Sequence, residues 1–145
     1  PIPLSLKSVG VYHSVIKDTN GNYVATAEID QRWYRRFTQK VIHLSSREPA
    51  YVFSSVFAPT KLNTTIIHDW QYFDESKDSW VSVTRIDFVI TGGRENGFRG
   101  FSKKENLFPG KWRVDIKTER DQVIGMIRFD IIETAEPVRL ETIIF

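Results

Sequence analysis

The stretch "KWRVDIKTERDQVIGMIRFDI", residues 111–131, decides the fold class. In its first half Trp112, Val114 and Ile116 alternate with Arg113, Asp115 and Lys117. In its second half Val123, Gly125, Ile127, Phe129 and Ile131 alternate with Gln122, Met126, Arg128 and Asp130. Successive side chains leave a strand in opposite directions, so this period of two predicts two strands, each with an apolar face and a charged wet face. The intervening "TERD" is a polar turn, and the unit reads as an antiparallel β-hairpin whose outward charges also discourage edge-to-edge pairing.

The same pattern recurs along the chain. "YVFSSVFA" (51–58) is apolar on both faces and reads as a central strand. In "TTIIHDWQYF" (64–73), Ile66, His68, Trp70 and Tyr72 share one face while Asp69 and Gln71 take the other. After the turn "DESKD", the run "SWVSVTRIDFVI" (79–90) changes phase, since Val81 and Val83 are odd but Ile86, Phe88 and Ile90 are even. A β-bulge near Thr84 and Arg85, or burial on both sides, accounts for the slip. Leu4 to Ile16 and Tyr23 to Ile29 flank Asn20-Gly21, a dipeptide that tolerates positive φ, and predict an N-terminal hairpin. Residues 37–45 read as a strand, although Trp33, Phe37 and Val41 recur at helical spacing. In the tail "ETAEPVRLETIIF", Pro137 breaks the preceding strand, leaving "RLETIIF" to pair as a further strand, bind a partner or fray.

Short strands with a turn every ten residues or so predict an all-β antiparallel sandwich of about seven to nine strands. At 145 residues the chain is long enough for one well-buried core, so we expect one domain over 1–145. Within it we expect an N-terminal β-hairpin extension (1–30), a core (40–132) and a C-terminal tail (133–145).

Composition excludes several classes of function. Twenty Lys and Arg nearly balance eighteen Asp and Glu, leaving a net charge of +2, too little to argue a nucleic-acid partner. No cysteine is present, which excludes disulfides, thiolate metal sites and a cysteine nucleophile, and fits a reducing or an oxidising compartment equally. No apolar run approaches the ~18 to 20 residues of a membrane span, and "PIPLSLKSVG" is not a signal peptide. Membrane association would have to come from segments outside this chain.

Several motifs carry a family resemblance: Arg47-Glu48-Pro49, His68-Asp69-Trp70, Arg99-Gly100-Phe101-Ser102-Lys103-Lys104, Pro109 to Val114, and Gly125 to Phe129. Over about residues 40 to 132 they resemble a bacterial family of unknown function that often follows transmembrane helices in envelope proteins. The resemblance implies a β-sandwich with an extracytoplasmic, non-catalytic role, and supplies no activity. Where that family tends to carry Gly in the last hairpin turn, this chain reads Glu119-Arg120-Asp121, and its first 30 or so residues have no counterpart.

Candidate ligand-binding residues are Arg99, Ser102 and Lys104, joined by Arg94 and Trp80. A guanidinium fork, a hydroxyl and an ammonium can converge on carboxylate, phosphate or sugar oxygens. The competing reading is an ordered loop in which Arg99 bonds carbonyls and the glycines supply unusual backbone angles. If the stretch is extended, Arg99 and Ser102 face opposite ways.

The Trp and Tyr side chains could stack sugars, but Trp112, in phase with Val114 and Ile116, reads as core, and Trp80 beside a polar turn as the exposed exception. His68 reads as a buried, hydrogen-bonded residue, because His13 and His43 show no ligand spacing with it. Ser102 and Lys103 are neighbours on an extended chain and point apart, so they make no catalytic dyad. Arg32, Arg35, Arg36 and Lys40 read as a solvated face, and the sequon at Asn63 as coincidence.

These observations favour a non-catalytic extracytoplasmic binding module for a protein partner or an envelope glycan, with no cofactor and no metal. The alternative is a structural or assembly module, with a homo-oligomer formed through residues 138–145.

Overall fold

The computed structural model describes residues 4–29, 40–58, 62–92 and 97–145. The described residues form eleven strands: β1 (Ser5–Tyr12), β2 (Ser14–Lys17), β3 (Tyr23–Glu28), β4 (Lys40–Leu44), β5 (Ala50–Phe57), β6 (Leu62–Asp74), β7 (Ser79–Gly92), β8 (Phe98–Lys104), β9 (Gly110–Thr118), β10 (Val123–Glu133) and β11 (Leu140–Ile144). The all-β expectation holds, with more strands than the seven to nine anticipated. They make a five-stranded sheet ordered β4-β10-β9-β6-β7 and two three-stranded sheets, β1-β5-β8 and β11-β3-β2. All pairings are antiparallel except β4 with β10.

The main core fills the space between the five-stranded sheet and β1-β5-β8. Ile66, Trp70, Trp112, Val114, Ile116 and Phe129 meet Val11, Val52, Val56 and Phe98 there. A second cluster of Val15, Tyr23, Ala25 and Phe53, with Phe101 and Phe145 against it, joins the small sheet to the other face of β5. β5 is thus sandwiched, sending Val52, Ser54 and Val56 to one core and Phe53 to the other, which is why its sequence is apolar at both parities.

The hairpin that decides the fold forms with Trp112 opposite Phe129 and Val114 opposite Ile127. Its register slips between Val123 and Gly125, so Val123 is exposed and Ile124 packs against the core instead. The absence of a Cβ at Gly125 lets Leu6 of β1 close over it: a methyl there would lie 2.3 Å from Leu6 Cδ2. The bulge in β7 falls at Val83, which has no partner between the pairs Trp70–Thr84 and Gln71–Ser82, one residue before the expected place.

Two expectations are corrected, and one left open is decided. The segment from Leu4 to Ile16 is not one arm of a hairpin: it breaks at His13, β1 pairs with β5, and only β2 pairs with β3. His13 acts as a strut at that break, with Nδ1 2.7 Å from Glu48 Oε2 and Nε2 3.0 Å from Glu28 Oε1. Of the alternatives for the tail, the structure takes the further strand: β11 pairs with β3, and Phe145 stacks on Phe53 at 4.6 Å between ring centroids. The polar face of β6 and β9 is not wet throughout, because Asp69, Gln71 and Asp115 are buried, although Lys111 is exposed. The β4 strand begins at Lys40; residues 37–39 of the expected strand, and Trp33 and the arginines beside it, lie outside the described residues.

Candidate functional site

The structure separates the residues that the sequence suggested as one site. β8 is extended, so its side chains alternate. Ser102 points into the main core, where its Oγ lies 2.7 Å from His68 Nδ1 and accepts a hydrogen bond from Trp70 Nε1 at 3.0 Å. His68 Nε2 completes the chain to Ser54 Oγ at 2.8 Å. Burial pushes the His68 pKa down to about 3, so the ring is neutral and one tautomer satisfies both serines. Ser54, His68 and Ser102 carry the atoms of a nucleophile–base pair, yet their exposures of 1%, 0% and 2% leave no path for a substrate.

Arg99 points the other way. Its guanidinium sits over the Tyr23 ring at 5.0 Å, and its Nη2 donates to the Gly21 carbonyl at 3.3 Å. It ties β8 to the small sheet. Lys104 Nζ donates to the neighbouring Glu105 carbonyl at 2.8 Å. Arg94 lies outside the described residues. Arg99, Ser102 and Lys104 therefore do not converge, because consecutive strand positions diverge and the core claims Ser102.

Trp80 leads elsewhere. It is half-buried on the outer face of the five-stranded sheet, tilted edge-on to Phe73 at 5.3 Å, with the Arg113 guanidinium 4.6 Å from its ring centroid. A cleft of about 430 Å³ opens beside it, lined by Trp80, Phe73, Lys111 and Arg128. Each comes from a different one of the adjacent strands β7, β6, β9 and β10. Neither Lys111 nor Arg128 is ion-paired among the described residues, and the Trp80 indole N–H has no hydrogen-bond acceptor among them.

A polar network, buried at Asp69, Gln71 and Asp115, lies beside the cleft on the same sheet face and holds Arg113 against Trp80. Arg113 donates twice to Gln71 Oε1, from Nε at 3.0 Å and Nη2 at 2.8 Å. Gln71 Nε2 donates to Asp115 Oδ2 at 2.7 Å and to Asp69 Oδ2 at 3.3 Å. Asp69 also accepts from Lys117 Nζ at 2.8 Å and from the Ser82 hydroxyl at 2.5 Å. Asp121 joins Arg85 at 2.9 Å and Lys117 at 3.5 Å. The Asp69 carboxylate raises the Lys117 pKa against the opposing pull of burial.

The acids Asp69, Asp115 and Asp121 are matched in number by Arg85, Arg113 and Lys117, so the network is formally neutral. At the cleft, Lys111 stands opposite Asp130 in the β9–β10 register, so Lys111 and Arg128 bring two positive charges to this face against one acid. Arg128 also stands directly opposite Arg113 in the β9–β10 register, a like-charged pairing that costs stability. Arg113 relieves it by turning towards Gln71 and Trp80, and Arg128 is left to solvent.

Of this site the sequence had pointed only to Trp80. Phe73, Lys111 and Arg128 are spread over three strands far apart in sequence, and only the four-strand register brings them together. Arg113 and Arg128, each on the polar parity of one hairpin arm, were the available signal.

Among the described residues no group of three or more His, Asp or Glu could hold a metal ion, and no helix is long and apolar enough to cross a membrane. What the geometry defines is a β-sandwich domain with a preorganised cationic and aromatic cleft on one sheet face. Residues 63–131, which carry the cleft and its network, match the family model described as "Protein of unknown function (DUF2914)". That similarity is narrower than the expected 40 to 132, leaving out β4 and β5 with Arg47-Glu48-Pro49.

No curated protein matches the chain. Among solved structures, Pseudomonas fluorescens alkylpurine DNA glycosylase AlkC, bound to DNA containing an abasic site analog, aligns with 91% of this chain at 13% identity and a TM-score of 0.46. The chain spans 31% of that protein's length, and at this TM-score nothing about function passes between them.

Proposed function

We propose that the domain is a non-catalytic, extracytoplasmic binding module for a protein partner or an envelope glycan, and that it binds through the cleft of Phe73, Trp80, Lys111 and Arg128. The observation that carries this reading is the pairing of two cations, neither ion-paired among the described residues, with an aromatic wall beside a charge-balanced network whose acids Asp69 and Asp115 are buried. A sheet face that only met water would have no use for a network that costs desolvation to bury. Binding sites, by contrast, gain affinity when their side chains are ordered in advance.

Retention of envelope extract components on the immobilised domain tests it. Trp80→Ala should abolish the specific retention while Arg99→Ala preserves it. Equal retention by wild type and Trp80→Ala would refute the site.

A second reading, an assembly module, draws support from Ile16 and Ile144. They flank Val24 across the outer face of the small sheet and are 60% and 69% exposed. Light scattering of wild type against Ile144→Asp separates it from the first, since assembly through this face predicts a drop in mass.

A further inference from the structure

We infer that the cleft recognises a carboxylated sugar, one residue of an acidic glycan; this rests on the reading of the domain as a binding module. Four features of the cleft select that chemistry together. Arg128 presents a planar fork matched to a carboxylate, and Lys111 adds a second positive charge whose ammonium lies 5.9 Å from the Phe73 ring centroid. Phe73 and Trp80 meet at 71°, forming a corner of two aromatic walls against which the C–H face of a pyranose can pack. The Trp80 indole N–H is available as a donor to a ring or hydroxyl oxygen. The volume, about 430 Å³, lies at the small end of ligand sites, suited to one or two sugar rings.

Other ligands use only part of this set. A neutral sugar leaves Arg128 and Lys111 without partners, and a phosphate leaves the aromatic corner idle. An acidic peptide meets a different obstacle. The cleft lies across the sheet face, where the backbone groups of β6, β9 and β10 are already paired with neighbours; β7, at its end, is an edge strand, but its open edge runs along the rim of the sheet and not through the cleft, so a peptide main chain lying in the cleft has no strand to join.

The test follows the indole N–H signals of the ¹⁵N-labelled domain during titration, with the Trp80 signal assigned by its loss in Trp80→Phe. The probes are trimers of galacturonate, glucuronate and mannuronate, the neutral galactose trimer, triglutamate and inorganic phosphate. We expect at least one uronate trimer to shift the Trp80 signal saturably. Arg128→Gln, with its remaining amide spectrum unchanged, should raise the Kd at least about tenfold. The galactose trimer, triglutamate and phosphate should leave the signal in place at the same concentration.

An equal response to the galactose trimer overturns the requirement for a carboxylate, and an equal response to triglutamate or phosphate overturns the sugar. Both results leave the binding reading standing. Silence towards all uronate trimers overturns the inference, and only if Trp80→Ala also leaves envelope retention unchanged does the cleft's binding role fall with it.

Discussion

Ser102 of β8 and His68 of β6 meet across the main core at 2.7 Å, so one hydroxyl joins the two facing sheets. Ser102 also takes the indole N–H of Trp70. Ser102→Ala removes the partner of both groups in a dry environment, and the penalty is that of leaving them unsatisfied, about 1–3 kcal/mol. Urea denaturation should show a lower midpoint with an unchanged slope. Arg99→Ala, which removes a half-exposed contact to Gly21 and Tyr23, should cost less than Ser102→Ala; the reverse order would contradict the assignment of Ser102 to the core.

Stability should peak near neutral pH. Burial opposes the charged form of His13, but the hydrogen bonds to Glu28 and Glu48 outweigh it and its pKa is raised above 6.5. Its contribution is therefore complete below pH 6.5 and is lost as pH rises through the folded value. Burial would raise the Glu28 and Glu48 pKa values, but hydrogen bonds from His13, His43 and Ser45 bring both below 4.5. Their contribution is present above pH 4.5 and lost as pH falls through the folded values.

His68 reinforces the acid side. The folded ring stays neutral down to about pH 3 while the unfolded one binds a proton below 6.5, so stability falls by about 1.4 kcal/mol per pH unit below 6.5. Unfolding free energies from about pH 3 to about pH 9 measure both flanks. His13→Gln should flatten the alkaline flank and also weaken the part of the acid flank that Glu28 and Glu48 supply, leaving the part due to His68; a persistent alkaline decline would remove His13 as its cause.

Arg113→Ala takes both donors from Gln71 Oε1 and the cation from the face of Trp80. The expected cost is about 1–3 kcal/mol, with a change in tryptophan emission that Trp80→Phe abolishes. Arg128→Gln should be neutral or slightly stabilising, because it removes a like-charged neighbour without removing a partner. Destabilisation by Arg128→Gln would mean that Arg128 has a structural role.

Phe145→Ala uncovers Phe53 and should lower stability by about 1–2 kcal/mol. Removing residues 138–145 should lower the thermal midpoint further, since β3 loses a strand neighbour. Light scattering of the same variant decides the assembly reading: a halved mass makes the tail an assembly element as well as a strand, and an unchanged mass removes it from assembly.

Much of the sandwich was legible in residues 111–131, where each side chain's parity stated its face. The phase slip in β7 was legible to within one residue. The break at His13 was not, because Val11 and Val15 share a parity although one faces the main core and the other the small sheet's cluster. Nor was the burial of Asp69, Gln71 and Asp115, since alternation says only that they leave by the face opposite Trp70.

From sequence alone came the strands, their apolar faces, the core assignment of Trp112 and the choice of Trp80 as a surface aromatic. These are local properties, set by the two-residue repeat of the extended chain. The tertiary structure decided which sheet each strand joins, that Ser102 is a core hydroxyl, and that Lys111 and Arg128 meet Trp80 and Phe73. Those outcomes depend on strand order and register, which arise from long-range pairing and are not written in any short segment.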